Sequence, residues 1–512
     1  MAGLARGGRG GEALVLLGLG ALVVVPAGGL AALRRFDGLY GQDAYAYFDY
    51  ATGPLRQALA SRQPWPPFFW PPGYPVLVSL VSFGLGPLPL AGQLVSLLMG
   101  ALVPVCTYGL VRELWPADRP LALASAAICG LCGQLWQSSI VVMSDTTGLA
   151  LATAGAWALA RYAHRPQVRW LLLAALALAW ATLARWIYGV VAIPLAIFAL
   201  LALPRERRGL GHALLALAVG AALLVPVLGP SLLLVFTQPA APASFAGNLQ
   251  VYAWSPLNAL SRDFVTADGH LHYALPNGLY YAVLAGHPAY LGLLAPAIAI
   301  GGWAVLRAPR RGRLPLAQRW GPLLLVVGWA AIVYAFHAGA AWQNIRFLLA
   351  ALPPLAICAG LGLLVAWRWL GPRRRSAARL VLAWGVVGVL VMAIGGVRLV
   401  RGFIDRKDDD LALVRWLETD VPPGSQVLSF GPTLTIRHYS RLPTRDLYEL
   451  EPGDLPGVLA AGPTYMLLDV TNVEDQWQGQ TPERDLRALE AGPGLAPVDE
   501  RAGLHLFRVG GR

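Results

Sequence analysis

Gly41-Gln42-Asp43-Ala44-Tyr45-Ala46-Tyr47-Phe48-Asp49 stands just beyond the first long apolar stretch of the chain. A carboxylate at the mouth of a hydrophobic span needs a reason, because ionisable groups near lipid are costly. Asp37 precedes it, and Trp70-Pro71-Pro72-Gly73-Tyr74-Pro75 closes the same segment. Upstream, residues 12–33 are apolar for longer than the core of a signal peptide, so they read as a span and not as a cleaved leader. Downstream, 74–114 is too long for one crossing and divides into a shallow helix at 74–85 and a span at 90–113.

Composition agrees with a membrane reading. Of 512 residues, 56% are hydrophobic and 13% charged, and the net charge is +12. Mean hydropathy is +0.54. Soluble proteins carry about 25% charged residues, so a polytopic membrane protein is the leading class. Further apolar stretches lie at 120–141, 145–162, 168–184, 187–203, 210–236, 286–306, 320–338, 345–369 and 378–400. With ~20 residues per crossing, they predict about eleven transmembrane helices.

The arginines fall in short runs between these stretches. Arg112 with Arg119, Arg161 with Arg165 and Arg169, Arg205 with Arg207 and Arg208, Arg307 with Arg310, Arg311 and Arg313, and Arg373 to Arg375 with Arg379 occupy alternate loops. That pattern marks the cytoplasmic side and argues against a nucleic-acid partner. The other side then receives 37–73, Asp145, Arg185, the loop 237–285, the segment near 339–344 and the tail. Arg34, Arg35, Arg398 and Arg401 are exceptions on that side.

Residues 1–402 read as the membrane module, with outer loops 37–73 and 237–285, and 403–512 as a small α/β domain outside the membrane. In the tail, 411–417 predicts an amphipathic helix stopped by Pro422-Pro423-Gly424. Gln426–Phe430, Tyr465–Asp469 and Leu504–Val509 predict short buried strands. The tail has no Gly-rich phosphate loop. Cys106, Cys129, Cys132 and Cys358 all lie in apolar stretches and read as buried small hydrophobes, the Cys129-x-x-Cys132 spacing included.

Several polar residues on the outer side could carry chemistry. Asp43 could accept a proton from a hydroxyl as a general base, or it could only keep a loop wet, with the tyrosines around it at the interface. Asp145 could join it, or Ser144 or Asp145 could cap the next helix. Arg185 interrupts two apolar spans and Arg346 opens another. A guanidinium suits bidentate phosphate binding, whereas the plainer reading for both is an interfacial anchor. His337 is an interfacial histidine or a ligand. The loop 237–285 is too long for a plain connector. Its Tyr252, Trp254, Asn258, Arg262, Asp263, Asp268, His270, His272 and Tyr273 suit a sugar or lipid-headgroup pocket.

Together these elements resemble the polytopic GT-C glycosyltransferases, particularly the bacterial relatives of protein O-mannosyltransferases and aminoarabinose transferases (glycosyltransferase family 39-like). The resemblance rests on Asp43-Ala44-Tyr45-Ala46-Tyr47, Pro71-Pro72-Gly73-Tyr74-Pro75, Ser144-Asp145, Leu183-Ala184-Arg185-Trp186, and Arg346-Phe347 with Pro353-Pro354. It covers about 1–400. Many relatives have Asp-Glu where Asp43 is followed by Ala44. The aminoarabinose-type relatives have a lysine before Pro-Pro where Trp70 stands.

The resemblance implies a polyprenyl-phosphate-linked sugar as donor, a glycan, lipid or protein hydroxyl as acceptor, and inversion at the anomeric carbon. It implies Asp43 and Asp145 as catalytic residues, and Arg185, Arg262, Arg346, Tyr45, Tyr74 and His337 as substrate-binding residues. No cofactor is certain, and a divalent metal, if used, would fall to Asp43 and Asp145. The expected setting is the bacterial cytoplasmic membrane among its lipids, with the active site and the tail outside. A transporter or flippase for a lipid-linked or small solute is the alternative, and a non-catalytic envelope scaffold a third. Transport would favour charges near mid-span, and these spans carry almost none.

Overall fold

Lipid offers no partner to backbone N–H and C=O groups, so apolar runs that cross it fold as helices. The computed structural model describes residues 9–237, 254–308, 315–371 and 375–510. Among the described residues six helices are long and apolar enough to cross a membrane: Gly10–Leu33, Pro89–Leu114, Arg207–Pro230, Leu316–Ala338, Ile345–Leu370 and Arg375–Asp420. Arg119–Gly130 and Gly133–Ile140 meet at a 55° bend and make a seventh if they are one span.

The eleven crossings expected from the sequence are therefore not reached on length and apolarity. Val168–Ala184 and Ile187–Ala202 have only 17 and 16 residues, below the ~20 of a simple crossing. Asp145–His164 has 20 residues but opens on Asp145, Thr146 and Thr147, all buried.

The chain divides into two compact units, Met1–Leu260 with Pro276–Arg401, and Ser261–Leu275 with Gly402–Arg512. The first is the helical bundle. Small residues set its closest approaches, as in other membrane bundles. A Cβ on Gly301 would collide with the carbonyl of Cys358, and one on Gly362 with that of Ala297. These two glycines let Ala295–Arg307 and Leu352–Leu370 pack backbone to backbone. All four cysteines are buried and free.

The first loop differs from the wet connector weighed above. It holds two helices, Gln42–Thr52 and Pro54–Ser61. Gly41, at φ +78°, makes the left-handed turn into the first of them, which L side chains resist. Tyr45, Tyr47, Phe48 and Tyr50 are buried, not spread at an interface. Tyr50 stacks on Phe68 at 4.0 Å and donates to the carbonyl of Pro66 at 2.7 Å. Their run lacks a clear apolar face because the helix is enclosed on most sides, which is why the sequence does not announce it.

The second unit is α/β. Its sheet has the order β4-β3-β5-β7-β6, where β3 is Gln426–Ser429, β4 Thr444–Asp446, β5 Thr464–Leu468, β6 Leu495–Arg501 and β7 Leu504–Val509. β3 pairs in parallel with β4 and β5; β7 pairs antiparallel with β5 and β6. Strands β3 and β5 are buried on both faces, as parallel strands covered by helices must be. Alternation sorts Val427, Tyr465, Leu467 and Leu506 to one core and Leu428, Met466 and Leu468 to the other. The strands expected near 426, 465 and 504 are all present.

The amphipathic stretch 411–417 is not a separate helix. It is the end of Arg375–Asp420, and Leu413, Val414 and Leu417 cover the first of those cores. A hairpin of β1, Asp263–Thr266, and β2, Gly269–His272, lies with this unit. The whole loop 237–285 was expected with the membrane-spanning part; residues 261–275 lie with the tail instead.

Candidate active site

Four elements of the bundle deliver charge to one place. Asp43 lies in the first turn of Gln42–Thr52. Asp145 is the first residue of Asp145–His164. Arg185 caps the end of Val168–Ala184 in an extended conformation. Arg346 sits in the 3-10 turn Ile345–Ala351, where the Asn344 side chain accepts its backbone N–H at 3.0 Å.

Arg346 Nη2 donates to Asp43 Oδ2, and Arg185 Nη1 donates to Asp145 Oδ1. Both are ion pairs with limited exposure. Phe347 joins them: its ring centre lies 5.5 Å from the Arg185 guanidinium carbon and 5.7 Å from that of Arg346. A cation over an aromatic face is attracted by the ring quadrupole, so this one ring holds two positive groups near each other.

The plainer readings give way at these positions. Neither Ser144 nor Asp145 caps its helix through the side chain. Instead Ser144 Oγ shares a hydrogen bond of 3.1 Å with Tyr47 Oη, which ties the first loop to the second. Burial pushes the Tyr47 phenol well above its ordinary pKa, with the Ser144 bond opposing in part, so Tyr47 stays protonated. Arg185 and Arg346 face carboxylates and are not free interfacial anchors. Arg346 Nη1 also reaches Met143 Sδ.

Tyr74 is fully buried. Its hydroxyl donates to the carbonyl of Gly92 at 3.0 Å and lies 3.0 Å from Ser96 Oγ. Its ring meets Tyr47 edge-on at 5.5 Å. Gly73 beside it lies so close to the Leu183 backbone that a Cβ would clash, and Trp180 Nε1 donates to the Gly73 carbonyl at 3.2 Å. The Pro-Pro-Gly-Tyr segment is thus pressed against the turn that carries Arg185.

His337 is buried against Phe347, stacked at 5.0 Å, with neither ring nitrogen partnered among the described residues. Tyr45 is buried in the same helix as Asp43. Arg262 belongs to the second unit, beside Asp263 at 3.8 Å. Of the long loop, residues 238–253, including Tyr252, lie outside the described residues.

Residues 71–229 match the family model described as dolichyl-phosphate-mannose-protein mannosyltransferase. The match takes in Asp145 and Arg185. The structure is similar to ArnT from Cupriavidus metallidurans bound to undecaprenyl phosphate, with a TM-score of 0.60 at 14% identity over 98% of each chain. The fold is that of the GT-C membrane glycosyltransferases. The Archaeoglobus fulgidus oligosaccharyltransferase, in complex with Zn and sulfate, aligns at TM-score 0.55 and 13% identity, over 90% of this chain and 68% of its own. The mycobacterial arabinofuranosyltransferase AftD aligns at 0.50 and 15%, over 97% of this chain and 42% of its own. No curated protein matches the sequence. The resemblance read from the motifs is borne out.

In this GT-C fold the donor set fits a metal ion poorly. Among the described residues no group of three His, Cys, Asp or Glu could hold one, and each candidate carboxylate already faces a guanidinium. Two valences do remain open: Asp145 Oδ2 and Arg346 Nε have no hydrogen-bond partner among the described residues.

Tyr47, Ser144 and Phe347 stand in the motifs quoted above without a role in the site, and Met143 is the site residue outside them. A signal existed for two. Tyr47 lies one helical turn after Asp43, and Phe347 follows Arg346 directly.

Proposed function

We propose that the protein is a membrane glycosyltransferase that moves a sugar from a polyprenyl-phosphate donor to an acceptor hydroxyl, with inversion. The observation that carries this reading is the pair of guanidinium groups held together on Phe347, each facing one carboxylate. Two arginines at that spacing suit a phosphate, which accepts planar forked donors well. The undecaprenyl phosphate in the similar ArnT structure supports the same class of donor. A prenyl tail would remain in lipid, and no nucleotide pocket would be required.

In this reading the donor phosphate takes the place of Asp43 on Arg346. The freed carboxylate accepts the proton of the acceptor hydroxyl as its oxygen attacks the anomeric carbon. The bond from that carbon to the phosphate oxygen breaks, and Arg346 and Arg185 stabilise the departing polyprenyl phosphate. Asp145 keeps Arg185 aimed, and Tyr47 with Ser144 holds the first loop against the second. The site would face the outside of a bacterial cytoplasmic membrane, as the arginine-rich loops on the other side suggest.

Transport is the weaker reading. The paired charges sit at helix ends and not along mid-span, where a translocation path would need them.

The test uses purified full-length protein with radiolabelled polyprenyl-phosphate hexoses and pentoses. Release of polyprenyl phosphate in step with sugar transfer is expected. Binding without release from any donor, together with movement of the donor across proteoliposomes, would favour transport.

A further inference from the structure

The sheet of the second unit has the connectivity with which parallel sheets take ligands at their strand ends. From β3 the chain turns toward β4, whereas from β5 it turns toward β6 and β7. Connections that part in this way open a crevice beyond the carboxyl ends of the strands, the usual ligand site of open α/β sheets. Aromatic residues gather at these ends. Phe430 directly follows β3 and donates its N–H to the Leu467 carbonyl at 3.1 Å. Tyr448 follows β4. Trp477 follows the helix Val470–Asp475 that leaves β5. The Trp477 ring meets Phe430 at 4.8 Å and Tyr448 at 5.7 Å, both nearly perpendicular.

Acidic residues stand at the same strand ends. Ser429, the last residue of β3, is fully buried and shares the face of Val427, opposite that of Phe430. In register beside it is Asp446, which accepts the N–H of Tyr448 at 2.9 Å. The β1–β2 hairpin supplies one wall. Gln476 Nε2 donates to the Asp268 carbonyl at 2.8 Å, and His270 N–H donates to the Gln476 carbonyl at 2.6 Å. The hairpin is a wall and not a plug, since Tyr448 keeps 47% of its surface.

We propose that this crest binds carbohydrate, taking a neutral hexose unit of a glycan. The C–H face of a pyranose matches the negative face of an aromatic ring. Its hydroxyls donate to carboxylates, which the strand ends supply. The rim carries Asp268, Asp446 and Asp469, while Arg437, the cation nearest in effect to Asp446, is tied to Glu449 at 3.0 Å. That balance repels phosphorylated and carboxylated ligands. The inference does not depend on the transfer reaction proposed above.

The test is a glycan array of neutral, phosphorylated and carboxylated hexose oligosaccharides. It is probed with the full-length protein in a detergent that lacks a sugar headgroup. Neutral glycans are expected to bind, with apparent Kd weakened about tenfold or more in Tyr448→Ala and Trp477→Ala. Tyr448 is exposed enough to be replaced without disturbing the core, so full binding by Tyr448→Ala overturns the proposal whatever Trp477→Ala shows. Failure of the wild type to bind neutral glycans, or a preference for the anionic ones, also overturns it.

Discussion

Asp43 and Asp145 are both carboxylates held by one arginine, yet they differ in what surrounds them. Asp43 keeps 23% of its side-chain surface and Asp145 only 4%. Asp43 sits on a short helix of the first loop. Asp145 sits at the root of a helix whose first turn is wholly buried. An accessible carboxylate can meet a substrate hydroxyl. An enclosed one can do little but orient the cation it faces. The same residue type in the same kind of ion pair therefore supports a reacting role at one position and a positioning role at the other.

The widest separation between them is expected in stability. Asp145→Ala leaves the Arg185 charge enclosed without its partner, a change that typically costs ~3–5 kcal/mol. Asp43→Ala also unpairs an arginine of limited exposure, but its own carboxylate is more open, so it should cost less, ~1–3 kcal/mol. Thermal unfolding in one detergent measures both. Equal losses would erase the distinction.

Arg346→Lys sharpens the comparison from the cationic side. It keeps the charge but loses the planar fork. Donor KM is expected to rise about tenfold or more, with a smaller fall in kcat; unchanged kinetics would remove Arg346 from the phosphate site. Arg185→Lys should disturb stability as well, because its carboxylate partner is the enclosed one.

A third carboxylate is buried without an ion pair among the described residues. Asp485, in the helix Thr481–Ala491 of the second unit, is fully buried with neither oxygen hydrogen-bonded among the described residues. Burial, then the neighbouring Glu451 and Asp454, push its pKa up to about 7, against an opposing pull from Arg484. The folded form thus holds the proton more tightly than the unfolded one. Its contribution to stability is complete below about pH 4 and is lost as pH rises toward 7. Asp485→Asn should slow amide exchange in that helix at least tenfold more at pH 8 than at pH 5. A gain that is the same at both pH values would contradict the assignment.

The smallest effect is expected at Tyr47. Tyr47→Phe removes one hydrogen bond, to Ser144, worth ~1 kcal/mol. Transfer should slow by about fivefold. The edge-on and tilted contacts of the ring with Phe68, Trp70 and Tyr74 would persist, so the Tm should barely move. A loss as large as that of an Asp43 variant would make Tyr47 more than a brace.

Much of this arrangement was legible in the sequence. Asp43, Asp145, Arg185 and Arg346 stood out because each interrupts an apolar context in which a charge is costly. What could not be read was which carboxylate meets which arginine. Asp43 and Arg346 are 303 residues apart, and no periodicity carries that information. The helix around Asp43 was hidden because its aromatic residues are enclosed on most sides and so show no single apolar stripe. Residues 261–275 were assigned to the membrane module because a loop between two spans normally stays with them; their packing against Gln476 and Tyr448 depends on tertiary contacts that the loop sequence does not encode alone. The strands of the tail were legible because Tyr465–Leu468 is a short apolar run and Val427-Leu428 follows the turn residues Pro422-Pro423-Gly424.

The most direct test is single-turnover sugar transfer from a saturating polyprenyl-phosphate donor, comparing the wild type with Asp43→Asn. The variant is expected to bind the donor at least as tightly, because its neutral amide competes less with phosphate for Arg346, and to transfer about a thousandfold more slowly. Transfer at the wild-type rate by Asp43→Asn would contradict the account.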